Sequence, residues 1–229
     1  MYVNGGAREA VMPRRTKQQA EATRTRILDA AERVFRDRGV GHASLEDVAA
    51  AARVTRGAIY WHFKDKGELF EAMMQRVELP AQAMMEQAER AGATDPLQML
   101  RRAACEVLLR AARDTQVRRV LEISYHKCEY VGDAAAIRER QAENQKECLR
   151  TIEQGVRACI REGLLPKRLD ARIAALGAMA YVSGILYHWV LAPESFALEH
   201  HAQSLVDTYF RGLATLPATA RKASARSAP

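Results

Sequence analysis

Between Ser44 and Asp65 the chain opens three helices in succession, and this crowding of starts restricts the fold more than any other feature. Ser44, with Asp47 three residues on, has the reciprocal form of a capping box. Thr55 caps a second helix, and Asp65, followed by Glu68, caps a third. The spacing predicts short helices over Leu45 to about Ala51 and Arg56 to about His62, then a longer one carrying Leu69, Phe70, Met73, Met74 and Val77. Two short helices joined by about three residues suit a helix-turn-helix. Short turns occur in any helical protein, so the content of the second helix has to decide.

The rest of the chain also reads as helix. Strand-like alternation is absent and Ala, Leu, Arg, Glu and Gln dominate, all strong helix formers. From Gln18 to Arg38 the positions Ile27, Leu28, Ala31, Val34 and Phe35 form one apolar stripe, and Gly39 ends it as a C′ residue. Further helices are expected over about Gln82–Arg90, Pro96–Arg113, Val117–Lys127, Asp133–Arg161, Ala171–Leu191 and Leu198–Leu213. Gly92 with Pro96, Gly132, Gly163 with Pro166, and Pro193 stand between them. Residues 1–12 lack periodicity and read as a disordered extension, and 214–229 as a disordered basic tail.

An apolar share of 48% and a charged share of 28% over 229 residues exclude collagen-like, disordered and disulfide-stapled classes. No apolar run approaches the roughly 18 residues of a membrane span, and no secretory leader is visible. Cys105, Cys128, Cys148 and Cys159 show no C-x-x-C spacing, as expected of free thiols. A soluble cytoplasmic protein without a membrane partner is the expectation. The net charge of +7 sits at the ends: residues 1–79 carry 14 Lys/Arg against 11 Asp/Glu, 80–210 carry 17 of each, and 211–229 carry four basic residues and no acidic one. Such ends suit either a solvated surface or a polyanionic partner.

The second short helix, Thr55-Arg-Gly-Ala-Ile-Tyr-Trp-His-Phe63, favours the polyanion. Ala58, Ile59 and Phe63 can face a core while Thr55, Arg56, Tyr60, Trp61 and His62 point outward. A hydroxyl, an Arg and a Tyr there match phosphate oxygens and base edges.

These residues carry a resemblance. Ser44-Leu-Glu-Asp-Val-Ala49, then Val54-Thr-Arg-Gly-Ala-Ile-Tyr-Trp-His-Phe-Lys-Asp-Lys-Gly-Glu-Leu-Phe70, strongly resembles the DNA-binding domain of TetR-type transcriptional repressors. The run from Arg14 to Ala31 looks like the branch similar to AcrR and TtgR, which controls operons for multidrug efflux pumps. The resemblance continues through Asp95-Pro-Leu97, Arg118-Arg119, His126-Lys-Cys-Glu129, Leu165-Pro166 and Ala180-Tyr-Val182, and so covers about residues 13–213. It implies an all-α chain with an N-terminal three-helix helix-turn-helix domain over 13–78 and a C-terminal helical ligand-binding and dimerisation domain over 79–213. Residues 55–61 would enter the major groove.

By the same resemblance Ser44, Thr55, Tyr60, His62 and Lys66 match phosphate-holding positions. Arg56, Gly57 and Trp61 match positions near bases, and Arg14, Arg15 and Lys17 an arm reaching the DNA. Arg53 stands where the family generally has Gly, which predicts either an adjusted turn or a strained residue recovering its cost on a phosphate. Matching the family's drug pocket are Val77, Ala81, Leu100, Ala104, Val107, Leu121, Tyr125, Cys148, Ile152, Met179, Val182, Ser183, Leu186 and Tyr187, which periodicity alone would place in a core. Small residues Gly155 and Ala158, and Ala174, Ala175, Gly177, Ala178 and Gly184, suit close packing inside one chain or a homodimer interface, and the resemblance favours the interface.

Other functions have less support. Paired Glu-x-x-His metal motifs, a nucleophile elbow and a Gly-rich phosphate loop are missing, so no enzyme, metal or cofactor is expected. Glu122 with His126, and Cys128, lacks a second ligand pair, and Cys128 and Cys148 lack a basic cluster to activate a thiolate. An architectural DNA-binding protein without a ligand remains the main alternative to a repressor released by hydrophobic drugs.

Overall fold

The structure, a computed structural model, describes residues 12–77, 81–129 and 135–215, with side chains at 12–16, 81–82 and 135–136 outside that description. Every regular element in these residues is helical: α1 (Met12–Arg38), α2 (Leu45–Ala52), α3 (Arg56–His62), α4 (Lys66–Gln75), α5 (Ala81–Arg90), α6 (Pro96–Arg113), α7 (Thr115–His126), α8 (Ala135–Arg161), α9 (Ala171–Leu191) and α10 (Leu198–Thr215).

Two compact units form. The first holds α1 to α4 together with residues 122–129 and 135–139; the second holds 81–121 and 140–215. The division therefore differs from a single cut after residue 78, because the end of α7 joins the first unit. There the Val40 N–H donates to the Lys127 carbonyl at 2.8 Å. Gly39, at φ +80°, makes the close turn that permits this, and a Cβ on it would stand 3.4 Å from the same oxygen.

In the first unit Ile27, Leu28, Ala31 and Phe35 of α1 are buried with Val48, Ile59, Leu69, Phe70 and Met73. The stripe expected on α1 is thus the core face, with Val34 half-buried at its edge. Phe35 and Phe70 meet at 6.3 Å between ring centroids. Arg76, at the end of α4, bridges back to α1 through Asp29 at 2.8 Å and Glu32 at 3.0 Å. Glu32 is only 6% exposed, and a buried carboxylate requires such a partner.

In the second unit α6 packs against α5, α9 and α10. Asp95 caps it through the Gln98 N–H at 2.8 Å, and Pro96 follows in the first turn. Arg101 of α6 holds Asp207 of α10, its Nε donating at 3.0 Å. Tyr181 and Tyr209 stack at 5.3 Å and each hydroxyl donates across to the other helix, to Leu205 O at 3.1 Å and to Ala174 O at 2.7 Å.

Three expectations need correction. α1 begins at Met12 rather than at Gln18, so Arg14, Arg15 and Lys17 stand on a helical backbone. The extension expected over 1–12 otherwise lies outside the described residues. Ala214 and Thr215 continue α10, and the remainder of the tail lies outside the description. Finally, the expectation that no apolar run approaches a membrane span fails at α9, which is long and apolar enough by length and composition and holds no Asp, Glu, Lys or Arg over 173–191; an apolar outward face, described below, adds to its buried one.

Candidate nucleic-acid interface

The helix-turn-helix is built by its caps. Ser44 Oγ accepts from the Asp47 N–H at 3.1 Å while Asp47 Oδ2 accepts from the Ser44 N–H at 3.0 Å and hydroxyl at 2.8 Å. That backbone N–H, then the hydroxyl, and Arg38 beside them hold the Asp47 carboxyl below its ordinary range. Thr55 Oγ1 accepts from Ala58 N–H at 3.2 Å.

Between the two helices Arg53 is left-handed, φ 54° and ψ 47°, and its N–H is shared between Ala49 O and Ala50 O. Among the described residues it alone, apart from glycines, has positive φ. The turn has not adjusted to the missing glycine: the Arg adopts the glycine conformation, at a cost of about 1 kcal/mol. Its side chain is exposed.

α3 turns Ile59 inward and leaves the rest of its surface open. Trp61 is 72% exposed and Tyr60 46%, values at which large aromatic side chains lose their burial energy. A Cβ on Gly57 would meet nothing within 4 Å, so the protein's own packing does not require glycine there. The Arg56 Nε lies 2.9 Å from Glu46 Oε1 in an ion pair, and its guanidinium lies 5.5 Å from the Tyr60 ring centroid. The neighbouring Tyr60 side chain, then the Glu46 charge, raise its already high pKa. The His62 ring meets Trp61 edge-on at 4.5 Å. Burial, then the Arg24 charge, lower its pKa below the ordinary value, so the ring is neutral at pH 7 and offers one N–H to an acceptor.

Lys66 is placed differently from a free phosphate clamp. Its Nζ donates to Gly41 O at 3.1 Å and Ala43 O at 3.0 Å, holding the loop between α1 and α2. Ser44 is likewise occupied in its capping box. Thr55, Arg56, Gly57, Tyr60, Trp61 and Arg53 share the exposed surface, with His62 half-buried at its edge. The side chains of Arg14 and Arg15 lie outside the described residues.

The positions matched to a ligand pocket are divided between the units. Val77 is buried and Tyr125 half-buried in the first; the Ala81 side chain lies outside the description. In the second, Ala104, Val107, Leu121, Cys148, Ile152, Met179, Val182 and Ser183 are half-buried, and Leu100 and Leu186 are buried. Tyr187 is 43% exposed and belongs to another surface. With Ile173, Leu176, Ala180, Gly184 and Leu191 it forms an outward stripe along α9 at spacings of three and four residues, Ile173 and Leu191 being 63% and 64% exposed. This stripe is what makes the helix so apolar.

The small residues separate accordingly. A Cβ on Gly155 would stand 2.9 Å from Leu100, and one on Gly177 2.5 Å from the Tyr209 hydroxyl. Those glycines, with buried Ala174, Ala175 and Ala178, serve packing within the chain. Gly184 faces open space.

Burial raises the thiol pKa of Cys105, and that of Cys159 to about 11, which keeps both protonated. No three His, Cys, Asp or Glu among the described residues group as metal ligands would.

Comparison with known proteins bears on both units. Residues 27–73 match the family model for bacterial regulatory proteins of the tetR family. Residues 95–215 match that for the C-terminal region of MAATS-type transcriptional repressors. The chain is 38% identical over 207 residues to the transcriptional regulator TtgR of Pseudomonas putida, covering 90% of this chain and 99% of that one. Among solved structures it resembles NalD, the secondary repressor of the MexAB-OprM multidrug efflux pump in Pseudomonas aeruginosa, with a TM-score of 0.79 at 33% identity over 86% of this chain and 98% of that one. It also resembles SmeT of Stenotrophomonas maltophilia in complex with triclosan, with a TM-score of 0.74 at 29% identity over 90% and 100%.

Proposed function

The chain belongs to the TetR family of bacterial transcriptional regulators, and on that premise we propose that it represses a multidrug efflux operon and is released from its operator by a hydrophobic drug. One observation carries the DNA-binding half of this reading: a seven-residue helix exposes Trp61, Tyr60 and Arg56 together, a surface that gains by being covered with DNA. The efflux half rests on kinship with NalD and SmeT, each a repressor of a multidrug efflux pump. The triclosan bound to SmeT supplies the ligand class.

The reading has definite roles for the residues. Arg56, Gly57 and Trp61 approach base edges; Thr55, Tyr60, His62 and Arg53 approach phosphates; Arg14 and Arg15, on the first turn of α1, reach the flanking backbone. Ser44 caps α2, and Lys66 holds the loop between α1 and α2 with two of its three N–H groups, leaving the third to a phosphate. The half-buried apolar positions of the second unit, with Ser183 as a polar tip, wall the ligand pocket. The outward stripe of α9 joins two cytoplasmic protomers into a homodimer, which sets two recognition helices about one DNA turn apart. A ligand favours the conformation in which that spacing no longer fits, α4 passing the change to α3. A coupling of about 1–3 kcal/mol gives a 5–150-fold loss of affinity.

The test is fluorescence anisotropy of the full chain on the intergenic DNA beside its own gene, against a scrambled duplex, with triclosan and a panel of hydrophobic antibiotics added. Selective binding released by at least one compound is the expected result. Equal, steeply salt-dependent binding to both duplexes would instead make this an architectural DNA-binding protein.

A further inference from the structure

Arg56 stands at the first position of α3, where a cation opposes the positive end of the helix dipole and a long side chain has many rotamers to lose. It is nevertheless held at two points: Nε lies 2.9 Å from Glu46 Oε1 in an ion pair, and the guanidinium lies beside the Tyr60 ring. Glu46 belongs to α2, outside the recognition helix, and its side chain is about half exposed. The capping of α2 is complete without it, since Ser44 and Asp47 satisfy each other. A carboxylate on the surface that meets DNA is unfavourable for phosphate binding, so its presence calls for a reason, and its contact with Arg56 provides one.

We infer that Glu46 is a positioning residue for base recognition. It occupies the Nε edge of Arg56, so that the two terminal nitrogens are left to meet a guanine end-on through O6 and N7. The same pairing cancels the Arg56 charge, which weakens its attraction to phosphates of any sequence. Specificity is thereby raised from both sides, with a better-oriented contact to the right base and a smaller electrostatic contribution to wrong sites. This inference rests on the assignment of Arg56 to base contact.

The experiment applies the full-length protein to a pool of randomised duplexes, then compares the selected duplex with a scrambled one by anisotropy across a salt series. Glu46→Gln is expected to lower the ratio of selected to scrambled affinity roughly two- to fivefold, the range of an exposed ion pair. The loss should fall on the same base position that Arg56→Ala relaxes. On the scrambled duplex the Glu46→Gln salt slope should steepen by about 0.9, one released phosphate contact. Glu46→Asp, which keeps the charge, should stay near the parent slope, and Glu46→Gln added to Arg56→Ala should cost nothing more. If Arg56→Ala relaxes one position while Glu46→Gln changes neither preference nor slope, the positioning role is wrong and the base contact stands. If Arg56→Ala relaxes no position, the base contact falls and the inference with it.

Discussion

At the scale of single residues, Arg53 shows how a departure in sequence becomes a measurable strain. Where a short turn favours glycine, an Arg has been kept, and the backbone still takes φ 54°. Arg53→Gly is expected to raise stability by about 1 kcal/mol, roughly 2–4 °C in melting temperature for a chain of this size. The exposed guanidinium borders the recognition helix and is ion-paired to no carboxylate among the described residues, so the variant should also lose operator affinity and about 0.9 of salt slope. Stabilisation with unchanged affinity and slope would dismiss the phosphate contact. The oddity at this residue was legible through the family resemblance, which sets a glycine at that place in the turn. The occupation of Lys66 by Gly41 O and Ala43 O was not, since that bond joins residues more than twenty positions apart.

At the scale of elements, caps and breakers were sound guides. α6 and α9 fill the expected ranges Pro96–Arg113 and Ala171–Leu191, with Asp95 and Asp170 as their caps. α1 began earlier than expected, because Pro13 in a first turn does not obstruct a helix and nothing after it does. What periodicity cannot supply is the identity of the neighbour. Gly177 and Gly184 look alike in sequence, about two turns apart on the same small-residue helix. Gly177 lies under the Tyr209 hydroxyl, and Gly184 faces open space. Gly177→Ala should therefore cost about 1–3 kcal/mol through overpacking, or less where Tyr209 swings aside and gives up its bond to Ala174 O. Gly184→Ala should leave the fold of a protomer intact and gain up to about 1 kcal/mol of helix propensity. Thermal melts of the two variants at low protein concentration distinguish them, and equal losses would refute the assignment of their faces.

At the scale of the whole molecule, the α9 stripe is the proposed seat of assembly. A double variant Ile173→Glu, Leu191→Glu places charges in the proposed homodimer contact, and sedimentation velocity should find monomers that keep their helical circular dichroism. Operator binding should weaken well beyond the loss of either half-site alone, because only a dimer presents both recognition helices at once. A double variant that remains dimeric would move the interface elsewhere. In the proposed homodimer the stripe also ties the fate of each copy to the number of others. A protomer that finds no mate leaves its most apolar helix uncovered, and such surface invites proteolysis and aggregation. The half-life of the protein then depends on its own abundance: scarce copies are cleared fastest, and accumulation protects what has accumulated. A cell diluting this regulator by growth would pass from repression to expression over a narrower range of protein number than DNA affinity alone dictates.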